Sequence, residues 1–211
     1  MRELDSSKKN FYKTLDIILN KRRNKINSNI GSVINIIKDV KKNGDKALLK
    51  YEKNFNKNNV LIPSNKRISK SINLLDKKVK KAIDLAFDRI FKFHSFQKFK
   101  NIKYTDKFKN KLEYRYFPID SVAIYVPGSS ASYPSSVLMN AIPALVAGVK
   151  RIVMINPNYK GKLNPAVLYA ARKCKIKEIY SIGGPSAIAA LAYGTKKINK
   201  VNKTNSNRIK D

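Results

Sequence analysis

Apolar positions recur at helical spacing in the first half of the chain, and short apolar runs alternate with helical stretches in the second. Phe11, Leu15, Ile18 and Leu19 predict a short helix within the polar, basic stretch 1–28. Val33, Ile34, Ile36, Ile37 and Val40 make one apolar face, which predicts a helix with Ser32 as N-cap. Gly44 is its expected stop, because glycine adopts the left-handed backbone that closes a helix. Asp45 is the expected cap of the next helix, with Ala47, Leu48, Tyr51 and Phe55 on one side. After a loop containing Pro63, a long helix is expected from Leu75 to Gln97. Val79, Ile83, Ala86, Phe87, Ile90 and Phe91 form its apolar stripe, and His94 lies near its end. Lys111–Phe117 alternates like a strand, Pro118 and Asp120 mark a turn, and Ser121–Val126 reads as a second strand, so the two are expected to pair as a hairpin.

The pattern changes near Pro127. Between Asp120 and Glu178 there is no acidic residue, and strands and helices alternate regularly. The loop Pro127-Gly128-Ser129-Ser130 leads to a helix starting at Ser135 or Ser136 and running to Ala147, closed by Gly148. Strand Arg151–Ile155, helix Pro165–Lys173, strand Glu178–Ile182, the Gly183-Gly184 turn and helix Pro185–Tyr193 follow, with Gly194 as the last stop. Such alternation implies a parallel sheet with crossover helices. Asn202–Asp211 is polar and patternless and is expected to be disordered.

Charge adds a second candidate function. Lys+Arg number 45 against 14 Asp+Glu, a formal net charge of +31. Such an excess is a candidate nucleic-acid or anionic-surface signal. Here, though, lysine accompanies asparagine and isoleucine along the whole chain, including solvated stretches such as Asp76-Lys77-Lys78-Val79-Lys80-Lys81. A diffuse charge predicts non-specific contact with phosphates and no specific nucleic-acid site. Cys174 is the single cysteine, so no internal disulfide can form. No apolar run approaches the roughly 18 residues needed to cross a bilayer, and Met1-Arg2-Glu3-Leu4-Asp5 lacks a signal-peptide pattern, so a cytoplasmic location and no membrane partner are expected.

Candidate chemistry is sparse. Ligands of open parallel sheets bind beyond the carboxyl ends of the strands, where Gly128-Ser129-Ser130 and Gly183-Gly184 offer backbone N–H groups near helix starts. Neither loop reads G-x-G-x-x-G, and a Gly-Gly pair there is more commonly a tight turn. His94, the only histidine, reads as a packed or surface residue beside Phe91 and Phe93. Cys174 reads as a small buried residue, and no pair of carboxylates is spaced for acid–base work.

Longer motifs carry more. Tyr125-Val126-Pro127-Gly128, the run from Tyr133 to Ala144 and Val146-Ala147-Gly148-Val149 closely resemble the histidinol dehydrogenase family. So does Gly183-Gly184 followed by the run from Ala187 to Thr195. Gly44-Asp45-Lys46-Ala47-Leu48 with Tyr51 and Phe55 fits the family's early helix pair; Ile90, Phe93-His94 and Gln97 fit its next helix. The likeness runs from about residue 30 to 203.

The resemblance implies an enzyme that oxidises L-histidinol to L-histidine with two NAD in succession, through an aldehyde, in histidine biosynthesis. It implies a zinc-containing homodimer whose subunits each hold two incomplete Rossmann-like domains. The fold class implied here is α/β: an N-terminal helical segment and hairpin, then an incomplete Rossmann-like parallel sheet flanked by helices. The corresponding divisions are a basic segment 1–28, a partial first domain 29–126, a Rossmann-like second domain 127–203 and a divergent tail 204–211. Two family NAD contacts fall on Tyr125 and on Ser186, where the family has glutamine in Gly-Gly-Ala-Gln-Ala and this chain reads Gly183-Gly184-Pro185-Ser186-Ala187. A third, an asparagine in Gly-Pro-Gly-Asn, has no counterpart in Thr204-Asn205-Ser206-Asn207-Arg208-Ile209. The family's zinc ligands and catalytic His/Glu pair lie further downstream, so no catalytic or metal residue is assigned. A chain inactive by itself is expected, the product of a frameshifted or split gene, with activity dependent on a complementing C-terminal chain. The alternatives are a basic fragment that binds nucleic acid non-specifically and a non-functional degraded gene product.

Overall fold

The computed structural model describes the backbone of residues 6–128 and 133–206, and the side chains of these except 18–29 and 205–206. Helix α1 (Phe11–Asn43) is followed by α2 (Asp45–Asn56), α3 (Asn65–Asn73) and α4 (Lys77–Ser95). A hairpin of β1 (Ile102–Thr105) and β2 (Lys111–Tyr114) precedes β3 (Ser121–Tyr125), α5 (Pro134–Ala147) and β4 (Arg151–Ile155). Then come α6 (Pro165–Lys173), β5 (Glu178–Tyr180), α7 (Gly184–Tyr193) and β6 (Lys203–Ser206).

The sheet has the order β5-β4-β3-β6, with every neighbouring pair parallel. Its two faces are covered by different helices. Val122, Ile124 and Val126 join Val137, Ala141 and Ile142 of α5, Leu168 and Ala171 of α6, Ile72 of α3 and Ile83 of α4. On the opposite face, Ala123, Val153 and Ile155 join Ala187, Ala190 and Leu191 of α7, Val40 of α1 and Leu48 of α2. Helices from 29–126 thus pack on both faces of the sheet beside those from 127–203.

Several elements depart from the sequence-based expectation. The two helices expected on either side of residue 28 are one, and Ser32 lies inside it, more than five turns past its start. The intervening residues are polar without being helix breakers, and Gly31 costs a helix only about 1 kcal/mol relative to alanine. Gly44 does close α1, at φ +52°. Asp45 is the first residue of α2, and its carboxylate accepts a hydrogen bond from the Thr195 hydroxyl at 2.5 Å. Asp76 caps α4 by accepting from the N–H groups of Lys78 and Val79. Of the expected α4 stripe, Ile83 is buried, while Val79 and Phe91 stay exposed.

The hairpin forms between different strands from those expected. Residues 111–114 pair antiparallel with 102–105, from Ile102↔Tyr114 to Thr105↔Lys111. Asp106 closes the turn by accepting from the N–H groups of Phe108 and Asn110. β3 is apolar on both faces and enters the parallel sheet, where both faces are covered. The tail also differs. Residues 203–206 pair with 122–125 as β6, since strand pairing needs only backbone groups. Asn202 anchors the approach by accepting from the Ser121 hydroxyl at 2.6 Å. Residues 207–211 of the expected disordered tail lie outside the described residues.

The amino end of the sheet is fastened by Arg151, whose guanidinium forks onto Glu178 at 2.7 and 2.8 Å and also donates to the Asn199 and Lys200 carbonyls. Cys174 caps α6 nearby, is buried, and has its thiol pushed up to about 12 by that burial. The fold holds this proton while an unfolded thiol near 9 releases it, so the contribution is intact below about pH 9 and is lost as pH rises toward 12. The native chain should take up almost no Ellman reagent at about pH 8 and a full equivalent in urea. Cys174→Ala should also lose less stability than the parent between about pH 9 and about pH 11, measured by denaturant titration.

Candidate functional site

β3 has β4 on one side and β6 on the other, and the helices on either side of the sheet diverge there. α5 and α6 cover one face and α7 covers the other. The crevice beyond the carboxyl ends of β3 and β6 is thus the point where an open α/β sheet takes a ligand.

Tyr125 ends β3 on the α7 side. Its phenol oxygen accepts the Gly184 N–H at 3.2 Å, tying the strand end to the start of α7. Gly183 lies under it: a Cβ at Gly183 would meet the Pro157 side chain at 2.7 Å and the Tyr125 oxygen at 3.4 Å. Gly128 is more confined still, since a Cβ there would fall 1.3 Å from the Pro157 carbonyl oxygen. Both glycines are required by space.

The Gly183-Gly184 N–H groups are already engaged. Gly183 donates to the carboxylate of Glu52 at 2.7 Å, Gly184 donates to Tyr125, and Pro185 has no N–H. Glu52 is 1% exposed; its other oxygen accepts from the Asn56 amide at 2.7 Å. Burial pushes its carboxyl above the ordinary value, against the opposing pull of the Gly183 N–H and Asn56. A carboxylate from α2 thus occupies the place where a phosphate would meet the start of α7. The other glycine loop begins at Gly128, but Ser129 and Ser130 lie outside the described residues.

Three buried asparagines fix the surrounding loops. Asn156 donates to the Val126 carbonyl at 3.0 Å, joining the loops after β4 and β3. Asn58 donates to the Ser181 and Val60 carbonyls, each at 2.9 Å. Asn158, with its amide nitrogen toward Asn156 Oδ1 and the Lys162 carbonyl, accepts from the Ser181 hydroxyl at 2.7 Å. These contacts satisfy backbone groups at the rim without a ligand.

Of the residues singled out from the sequence, Tyr125 lies at the crevice. Ser186 stands in the first turn of α7, buried, with its hydroxyl donating to the Gly183 carbonyl at 3.0 Å. His94 is at the other end of the sheet, paired with Gln97 at 2.7 Å. Among the described residues, no group of three or more histidine, cysteine, aspartate or glutamate side chains is placed to hold a metal ion. Glu52 and the three asparagines were not singled out from the sequence. Glu52 lies one turn after Leu48 on the buried face of α2, and a carboxylate at an apolar-face position was the readable signal.

A family model described as histidinol dehydrogenase matches residues 19–205. The chain belongs to the histidinol dehydrogenase family. A histidinol dehydrogenase from Pelagibacter ubique (strain HTCC1062) is 76% identical over 200 residues, which are 95% of this chain and 47% of that protein. One from Brucella abortus (strain 2308) is 46% identical over 176 residues, 82% of this chain and 41% of the other. The crystal structure of histidinol dehydrogenase from Elizabethkingia anophelis superposes with a TM-score of 0.79 at 36% identity, covering 83% of this chain and 41% of that one. The chain therefore spans less than half the length of these histidinol dehydrogenases. The match to the Pelagibacter protein reaches beyond the motif-bearing stretch 30–203.

Glu52→Ala leaves the buried Gly183 N–H without an acceptor and should cost about 1–3 kcal/mol. Glu52→Gln keeps an oxygen for that N–H and should cost less. Because the folded carboxyl lies above its ordinary 4.5, its contribution is full below that value and is lost as pH rises through the folded one. The parent should therefore lose ground to Glu52→Gln in urea titrations as pH rises from about 4.5 to neutrality. A stability difference independent of pH would show that burial does not raise the Glu52 carboxyl above its unfolded value.

Proposed function

We propose that this chain is the nucleotide-binding part of a histidinol dehydrogenase, which oxidises L-histidinol to L-histidine through the aldehyde histidinal using two NAD in turn. The observation that carries the reading is the 76% identity over nearly the whole chain to a protein more than twice the matched length. The crevice geometry supports it, since Tyr125 stands at the strand end where the fold takes a ligand. Bound there, NAD would accept the hydride. Tyr125 would present its ring and phenol to the nucleotide. Ser186 would have to release the Gly183 carbonyl before its hydroxyl could take part, as it is shorter than the glutamine that the resemblance leads one to expect.

Zinc does not fit this chain's own donors. There is one histidine and one cysteine, and Cys174 is buried in the core with a raised thiol. Metal-bound substrate chemistry needs several converging ligands. The donors and the general base would come from the part of the enzyme that these residues do not span, within a homodimeric, cytoplasmic enzyme. This chain by itself positions a nucleotide and turns nothing over.

The test is expression of the chain alone and together with the segment of the Pelagibacter relative that it does not span, following histidinol-dependent NADH in zinc buffer. Turnover is expected only from the pair. Tyr125→Phe in the pair should raise the KM for NAD more than it lowers kcat, because the phenol touches the nucleotide and not the reacting alcohol. Zinc uptake and turnover by the isolated chain would overturn the reading.

A further inference from the structure

The end of α2 grips the segment that follows β5 at several points. The Glu52 side chain takes the Gly183 N–H at 2.7 Å. The Glu52 backbone carbonyl takes the Asn58 N–H at 3.2 Å, and the Asn58 amide donates to the Ser181 carbonyl at 2.9 Å. Leu61 accepts the Ser181 N–H at 2.8 Å. Residues 52–61 thus hold 181–183 through both backbone and side chains.

The next link runs to Tyr125. Gly184 donates to its phenol oxygen at 3.2 Å. On the sheet side the turn is packed tight: a Cβ at Gly183 would lie 2.7 Å from the Pro157 side chain. The turn therefore has no room to shift toward the sheet. The direction open to it is toward α2, where the Glu52 carboxylate stands. Without that acceptor the buried Gly183 N–H needs another partner, and a shift toward α2 draws the Gly184 N–H off the phenol.

We propose that Glu52 is a positioning residue for the nucleotide: by holding the Gly183-Gly184 turn against Pro157, it fixes the Tyr125 phenol as a donor facing the crevice. The inference rests on the nucleotide reading above and adds to it a residue from outside the sheet. The Tyr125 oxygen accepts from Gly184, so its hydroxyl proton is left for an acceptor oxygen of the nucleotide. Glu52 itself is out of a ligand's reach. It is buried, and its two carboxylate oxygens are engaged by Gly183 and Asn56. Its effect on binding runs through the turn, as preorganisation of the ring that meets the ligand. The turn needs an acceptor and not a charge. Glutamine keeps an oxygen for Gly183, and the Asn56 amide can rotate to accept from its nitrogen.

The experiment is titration of the chain with NADH, followed by NADH fluorescence, with NAD as competitor. Salt at about 0.2 M screens the diffuse positive charge. The forms compared are the parent, Glu52→Ala, Glu52→Gln, Tyr125→Phe and the double variant of Glu52→Ala with Tyr125→Phe. Glu52→Met removes the acceptor at nearly constant volume and serves if Glu52→Ala does not fold. Arg151→Ala breaks the fork to Glu178 and loosens the opposite end of the sheet, which controls for lost stability. Each is measured where circular dichroism shows it folded.

The parent, Glu52→Gln and Arg151→Ala should bind NADH within about threefold of one another, and Glu52→Ala and Glu52→Met at least about tenfold more weakly. In the Tyr125→Phe background, Glu52→Ala should cost less than about twofold, because the group it acts through is gone. Four results each overturn the proposal and leave the nucleotide reading standing. They are parent-like binding by Glu52→Ala and Glu52→Met, a loss in Glu52→Gln as large as in Glu52→Ala, an equal loss in both Tyr125 backgrounds, and an equal loss in Arg151→Ala. A parent that takes up no NADH, or holds NADH that NAD does not displace, sinks the nucleotide reading and this inference with it.

Discussion

The fold depends on covering both faces of β3. Val122, Ala123, Ile124 and Val126 are buried, and a parallel strand with such a run cannot leave either side in water. α5 and α7 begin the two outer layers but do not complete them. α3 and α4 complete one and α1 and α2 the other. Lys173 and Tyr169 of α6 meet Asp84 of α4 at 3.0 Å each, a polar link between helices packed on the same face.

The carboxyl end of the sheet is organised around backbone groups that find partners within the protein. Glu52, Asn58, Asn156 and Asn158 between them hold the loops after β3, β4 and β5. An asparagine can donate and accept at once, which suits a rim where N–H and C=O groups both need partners. Glu52 differs because it brings a charge into the interior. Its acceptor at Gly183 satisfies the start of α7, and burial opposes its ionisation. Conformation and electrostatics therefore meet at one contact between α2 and the carboxyl end of the sheet.

The excess of basic residues does little for the fold. The ion pairs of the described residues use only a few of the lysines, and most pairs lie on partly exposed side chains, where they contribute little. Around the hairpin, six lysines and Arg115 between residues 98 and 115 accompany exposed aromatic side chains such as Phe99, Tyr104 and Tyr114.

The sequence by itself determined the regular α/β half. Strand 151–155, helix 165–173 and the glycine stops at 148 and 194 stand where local pattern put them, because each is fixed by its own apolar period and its own turn residue. The Tyr125 and Gly183-Gly184 motifs lie together at the carboxyl end of the sheet. Only the tertiary structure decided the strand partners. Nothing local in 111–114 selects 102–105 over 121–125, although the Asp106 turn was present to be read. Only the tertiary structure could place β6, a polar segment recruited by backbone pairing to β3, or bring Glu52 to Gly183 across 131 residues of sequence. Periodicity reports which face of an element is buried; it carries no record of which distant backbone groups will need a partner.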